Sequence, residues 1–416
     1  MKKLLKVTSL TALLTLCRML AGFIVAKVVA VQTGPAGIAM LGQIQGFVSV
    51  ITGIANSPLG NGIVRYTAEK QQDGLEECAV WWKASFGLLI GLLSVSVPLL
   101  IVFSNSISNW LFSQSGYQYL VIIAVLLLPF SAVGTAINSV TNGMQQYKRY
   151  VFLGACSLIV STSCMLILVI KGKIHGALLA AVMQSALIGL TMCILSLRQP
   201  WFRAKYWFGN IDKEASKVML GFAFMALITA LTVPVSLIFI RNLLVDNMGW
   251  EVTGQWQAVW KISEVYLGVV TMAMATYYLP KLATLKGKKA ILTEAFMVSK
   301  VIIPVVILIA VGIYVSRDLL ISLLFTNEFS DASEFFLVKL IGDVVKIVSF
   351  IFAYPMIANK KFKLYIGSEI FFSVSLVLLS YLLIHDFGVN GVNLAYLVNY
   401  LLYIVFLFFS YNRICK

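Results

Sequence analysis

The sequence predicts an all-α polytopic membrane protein with about twelve transmembrane helices. Three observations carry that prediction. The chain is 60% apolar and only 12% charged, with a mean hydropathy of +0.92, far from the pattern of a water-soluble domain. Apolar stretches long enough to cross a ~30 Å hydrocarbon layer as helices recur along its whole length, leaving no room for a large soluble domain. The basic residues outside those stretches fall mostly on the termini and alternate connections between them.

The first span, near 7–31, follows Lys2, Lys3 and Lys6, as a signal peptide would. Its apolar stretch is too long for one and ends in Gln32-Thr33-Gly34-Pro35 without a clear small-residue cleavage site, so it is read as a retained helix. Spans two to six lie near 36–64, 79–103, 118–142, 148–170 and 174–197. The second half continues near 217–241, 253–280, 291–316, 334–358, 364–384 and 388–410. Residues 198–216, with Arg198, Pro200, Arg203 and Lys205, divide the spans six and six. The expected organisation is therefore an amino-terminal bundle over 1–197, a cytoplasmic linker over 198–216 and a carboxy-terminal bundle over 217–416.

An even number of spans puts both termini on one side, and the cations say which. On the side of the termini there are 22 Lys and Arg residues, against 4 on the other (Lys171, Lys173, Arg241 and Arg317). Cations near span ends stay in the cytoplasm, so both termini are expected there, in the inner membrane of a cell. The net charge of +15 is mostly this topology. Its cations are scattered over short segments without a clustered patch or recognition motif, which excludes nucleic-acid binding. Of the six cysteines, Cys17, Cys156, Cys164 and Cys193 fall within spans and Cys78 and Cys415 on or near the cytoplasmic side; no metal or redox spacing occurs, and free thiols are expected.

The halves show a short repeat. Gly42-Gln43-Ile44-Gln45 opens the second helix and Gly254-Gln255-Trp256-Gln257 the eighth, with Lys27 and Arg241 preceding them at the outer ends of helices one and seven. Six spans per half make such a duplication parallel, the pattern of a two-lobed alternating-access transporter.

Ionisable residues inside spans are costly, so each is a candidate for function. Within or at the ends of spans lie Arg18, Lys27, Lys261, Lys300, Lys339 and Lys346, against Glu264, Glu294, Asp343 and Glu369. Lys27 and Lys339 stand near outer ends, where snorkelling to the interface is an equal alternative to lining a cavity. Lys339, Asp343 and Lys346 share one face of the tenth helix, which leaves one cation uncompensated. Gln257, Lys261 and Glu264 form a similar stripe on the eighth, where the Lys and Glu either pair structurally or face a ligand. Arg18 has no acid within a turn, and a guanidinium suits bidentate contact with phosphate. Arg18 and Lys27 point to opposite faces unless the helix bends, with Gly22 as the place for it. A net-positive interior implies an anionic ligand. Glu264, Asp343 and Glu369 are the acids that either titrate with a coupling H+ or Na+ or merely neutralise nearby lysines. Trp256, Trp260, Tyr266, Tyr277 and Tyr278 either stack on sugars or, for the tyrosines near the helix end, form an interfacial belt.

Pro58, Pro98, Pro129, Pro234, Pro304 and Pro355 lie within or at the ends of spans and permit kinks. No Walker A sequence, Gly-rich phosphate loop, metal motif or Ser/His/Asp arrangement occurs, and the two histidines, His175 and His385, stand near outer loops. Neither a catalytic residue set nor a resident metal or cofactor is expected.

Several segments resemble the Wzx-type flippases of the multidrug/oligosaccharidyl-lipid/polysaccharide exporter superfamily. They are Gly34-Pro35-Ala36-Gly37, Phe224-Met225-Ala226-Leu227-Ile228-Thr229 with Pro234, Trp256 to Tyr266, Tyr278-Leu279-Pro280, and Gly342-Asp343-Val344-Val345-Lys346. The likeness runs the whole length and is strongest to the enterobacterial-common-antigen (lipid III) branch. It implies two six-helix bundles around a central cavity. It also implies a substrate of undecaprenyl-pyrophosphate bearing a short oligosaccharide, and as partners an O-antigen polymerase and a chain-length regulator. Arg18, Lys27, Arg241, Lys300, Asp343, Lys346 and Glu369 fit the branch, whereas Lys261 and Lys339 depart from it. The expected ligands are thus Arg18 and Lys346, helped by Lys300 and Lys261, with Lys27, Arg241, Lys339 and Trp256 as further candidates. The rivals are an ion-coupled multidrug exporter of the same superfamily, which favours an acidic cavity, and a non-transporting scaffold of polysaccharide assembly, which needs no buried charge.

Overall fold

The computed structural model describes residues 2–285, 287–359 and 361–415. Lys286, Lys360 and Lys416 of the cation count lie outside the described residues, as do the side chains of Lys2, Lys3, Lys6 and Cys415. Every regular element among the described residues is helical. In chain order the helices are α1 (Lys2–Asn56), α2 (Asn61–Lys70), α3 (Leu75–Val102), α4 (Ser104–Phe112), α5 (Gln118–Leu126), α6 (Leu128–Gly143), α7 (Tyr147–Ser196), α8 (Lys213–Ala273), α9 (Leu279–Thr284), α10 (Lys288–Val315), α11 (Arg317–Leu324), α12 (Phe336–Ala358) and α13 (Phe362–Cys415).

Six continuous stretches are long and apolar enough to cross a membrane, and α5 with α6 adds a seventh as a pair bent by 41°. Four of the six are double. α1 breaks at Gly34, α7 at Lys173, α8 at Gly249 and α13 at Gly388, each residue with φ between 48° and 81° and ψ near the extended value. Each arm remains longer than the roughly 20 residues that a bilayer crossing takes. Among the described residues, the eight arms, α3, α10, the bent pair and α12 make the twelve segments expected. Their lipid-facing character is visible in the side chains, with Val102, Leu308 and Phe408 76%, 73% and 78% exposed. Large apolar groups so placed are stable in hydrocarbon and costly in water.

The four breaks supply a stronger repeat signal than the Gly-Gln motif. The interval from Gly34 to Lys173 equals that from Gly249 to Gly388, and each break joins two membrane-length arms. The backbone shape involved is one that only glycine adopts without strain, so three of the four positions are glycine. Lys173 is the departure.

Elsewhere the structure corrects the expected loops. The connection at 104–117 contains α4, and that at 317–333 contains α11 and most of a 3-10 segment over Asn327–Phe335. The fourth span bends at Leu127 because Pro129, in the first turn of α6, has no N–H to continue the ladder from α5. Ahead of Pro280, at the start of α9, residues Met274–Tyr278 widen to a π-turn. The helix does not bend at Gly22: α1 runs through it unbroken, which keeps Arg18 and Lys27 on different faces.

By contacts the chain forms two units, Met1–Gln32 with Met40–Val235, and Thr33–Ala39 with Ser236–Lys416. The boundary falls inside α8 rather than at 198–216. The residues expected as a linker instead pack within the first unit, where Trp201, Tyr206 and Trp207 are buried and Trp207 stacks on Trp82 with centroids 5.4 Å apart. Trp82 also donates its indole N–H to the Thr67 hydroxyl at 2.8 Å. In the second unit, Trp256, Trp260 and Tyr396 anchor one apolar cluster and Phe372, Tyr403 and Leu407 another. The described cysteines, Cys17, Cys78, Cys156, Cys164 and Cys193, are free thiols.

Candidate substrate-binding cavity

The charged stripe of α12 faces inward within the second unit. Lys339 and Asp343, one turn apart, are 1% and 0% exposed and joined by an ion pair. Asp343 Oδ1 also accepts from the Tyr396 hydroxyl at 2.9 Å, and Oδ2 accepts from Tyr266 at 2.7 Å. Three donors from three helices thus satisfy this carboxylate. Lys339 does not snorkel; its ammonium lies 4.5 Å from the Trp260 ring centroid and 4.1 Å from that of Tyr396. Burial of both charges is tolerable because each is paired and the cation also rests on aromatic faces.

Lys346, two turns from Lys339, has no ion pair within the described residues. It sits among the rings of Phe350, Tyr396 and Tyr400 at 5.5, 5.7 and 5.6 Å. This is the uncompensated cation that the spacing predicts. Lys339 and Lys346 open onto one cavity of ≈ 250 Å³, together with Trp260, Ser263, Glu264, Thr271, Phe350 and Tyr396. The stripe on α8 contributes differently from expectation. Glu264 accepts from the Trp260 indole at 3.0 Å and lines the cavity, while half-buried Lys261 makes no ion pair among the described residues.

The remaining candidates are dispersed. Arg241 is buried and donates Nε–H to Gln257 at 2.7 Å, with Nη1 left unpartnered, so within the second unit it is held by the repeated Gly-Gln-Trp-Gln segment. Trp256 is buried behind Trp260 and gives its indole N–H to Asn393 at 3.1 Å, which makes it a core residue. Lys300 is exposed on α10 and does not line the cavity. Glu369 lies against the hydroxyl of Tyr365, one turn away on α13. Glu294 is buried near the start of α10. In the first unit Arg18 is exposed at mid-helix and Lys27 is half-buried. Tyr277 is 65% exposed, as an interfacial ring should be, whereas Tyr278 is buried with its hydroxyl donating to the Ile351 carbonyl at 2.9 Å.

Tyr396 and Tyr400 are the site residues that sequence reasoning missed. A signal existed: Asn393, Tyr396 and Tyr400 form a polar stripe at helical spacing on α13, facing the stripe of α12. Gly342 allows the two helices to meet, since a Cβ there would lie 2.6 Å from the Tyr396 ring.

The structure thus defines an all-α, multi-pass membrane protein with a cation-bearing cavity inside its second unit. Residues 4–286 match the family described as polysaccharide biosynthesis protein, and the chain belongs to that family. It is 29% identical over 407 residues to the lipid III flippases of Escherichia coli (strain K12) and Shigella flexneri, covering 96% of each chain. Among solved structures it resembles the lipid II flippase MurJ in an inward closed conformation, with a TM-score of 0.74 at 15% identity over 98% of this chain and 87% of that one. It also resembles an inward-facing MATE family transporter of the MOP superfamily, with a TM-score of 0.67 at 14% identity over 95% and 94% of the two chains. These likenesses establish the fold of that exporter superfamily.

Proposed function

We propose that the protein is a flippase that carries an undecaprenyl-pyrophosphate-linked oligosaccharide, an O-antigen repeat unit or a similar glycan, from the cytoplasmic to the periplasmic leaflet by alternating access. The single observation that carries the ligand class is Lys346. An ammonium held in an aromatic frame within the membrane, with no ion pair among the described residues, leaves its charge available to an anionic group. The cavity presents two lysines and one glutamate, and Trp260 and Tyr396 offer flat faces to sugar rings. An exporter of organic cations calls for the opposite balance, and a scaffold has no use for a polar cavity in hydrocarbon.

In this reading Lys346 meets the pyrophosphate, and Lys339 is held by Asp343 as part of the wall. Arg18 and Lys300, both exposed within spans, serve as further phosphate contacts on the route. The carboxylate best placed for coupling to H+ or Na+ is Glu264, which faces the cavity, rather than Asp343, whose oxygens are occupied. The protein resides in the inner membrane with both termini cytoplasmic and works beside the polymerase and chain-length regulator of the same glycan.

The test is deletion of the gene in its host, with a gel of surface polysaccharide and an assay of lipid-linked sugar units in each leaflet. Loss of polymer with units retained on the cytoplasmic side supports the flippase. An intact polymer accompanied by new drug sensitivity overturns it in favour of an exporter.

A further inference from the structure

We propose a second binding site, a groove on the far side of α12 that takes one acyl chain of an anionic phospholipid whose headgroup meets Arg317. The groove encloses ≈ 320 Å³ between α10 and α12 and is lined by Ile307, Val311, Tyr314, Leu340, Ile341 and Val344, among other apolar residues. Its floor is Ala310 and Leu340, 7% and 4% exposed, and its rims are Val311 and Ile341, 53% and 47% exposed. A lining this apolar, open to the membrane side, fits a hydrocarbon chain and rejects a headgroup.

The end of the groove is not apolar. Tyr314 closes it, and the Arg317 guanidinium stacks over that ring at 4.4 Å while donating to the Tyr314 carbonyl at 2.9 Å. Arg317 makes no ion pair with neighbouring Asp318 or any other described carboxylate. A fixed guanidinium at the mouth of a chain-sized groove is charge-complementary to a lipid phosphate.

Geometry separates this lipid from the transported one. On α12, Leu337, Ile341 and Val344 occupy the face opposite Lys339, Asp343 and Lys346, so a molecule with its head in the charged cavity does not place its tail here. The occupant is therefore a phospholipid of the surrounding bilayer, and the inference is independent of the proposed substrate.

The experiment is native mass spectrometry of the purified full-length protein with phosphatidylglycerol and phosphatidylethanolamine of matched chains. One phosphatidylglycerol retained in preference to phosphatidylethanolamine is the expected result. Arg317→Gln should lower that preference about fivefold, and Ala310→Phe, which fills the floor, should abolish retention of both lipids. Should Ala310→Phe not fold, Arg317→Gln, at the first residue of α11, decides alone. Absence of a preference in the unaltered protein, or a preference unchanged in Arg317→Gln, overturns the proposal. Displacement of the phosphatidylglycerol by an equal concentration of polyprenyl phosphate overturns it too, by assigning the groove to the carried lipid.

Discussion

Lys339 and Asp343, one turn apart on α12, neutralise each other inside the second unit, and Lys346 on the same face has no such partner among the described residues. In the proposed function that asymmetry separates a wall of the cavity from its ligand group, although both lysines are equally spaced from Asp343 to within one residue.

Removing one member of the pair should leave a buried charge exposed to nothing. Lys339→Met and Asp343→Asn are each expected to cost about 3–5 kcal/mol. The double variant should recover most of that loss, because no buried charge is then left without its counter-charge and the Asn amide oxygen still accepts from the Tyr266 and Tyr396 hydroxyls. Thermal unfolding of the detergent-purified proteins measures it. Additive losses in the double variant would show that the two side chains do not depend on each other.

Lys346→Ala should behave in the opposite way. The protein should reach normal levels in the membrane with an unchanged melting temperature, while surface polymer falls sharply. A charge-assisted contact to phosphate contributes about 1.5–3 kcal/mol, roughly ten- to hundred-fold in affinity. Lys346→Arg should keep part of the activity. Complementation of a deletion strain, normalised to protein level, is the measurement; full activity of Lys346→Ala removes the cavity from the transport route.

Gly254 meets Pro35, in the turn that follows the Gly34 break, without room for a side chain, since a Cβ there would lie 1.9 Å from the Pro35 carbonyl oxygen. Gly254→Val should therefore displace that turn. A cysteine introduced by Thr33→Cys, in a background freed of native cysteines, should react faster with a membrane-impermeant maleimide when Gly254 is also replaced. Equal labelling rates would mean that the turn tolerates the side chain by some other adjustment.

Lys173 holds a backbone shape that its three counterparts, Gly34, Gly249 and Gly388, leave to glycine. Lys173→Gly should raise stability by up to about 2 kcal/mol, as strain of this kind costs 1–3 kcal/mol. Gly249→Ala should lower stability by a similar amount. Both are read as shifts in melting temperature, and a destabilised Lys173→Gly would show that the lysine side chain contributes more than its backbone costs.

By itself the sequence determined the solvent, the number of spans and the face of α12 on which charge is placed. These follow from local quantities. Hydropathy over twenty residues selects a bilayer, and a period of 3.6 fixes which side chains stand above one another. The same logic found the surplus cation of the Lys339, Asp343 and Lys346 stripe before its neighbours were known. It reached less far where a partner lies distant in the chain. Nothing near Asp343 announces Tyr266 or Tyr396, and the linker reading of 198–216 overlooked Trp82, whose ring lies more than a hundred residues before Trp207. Lys261 and Glu264 sit at pairing distance on paper, yet the carboxylate takes the Trp260 indole instead. Only the tertiary structure decided which lysine is paired and which is open, because a charge in hydrocarbon is settled by whichever donor, acceptor or ring the packing of separate helices brings within a few ångströms.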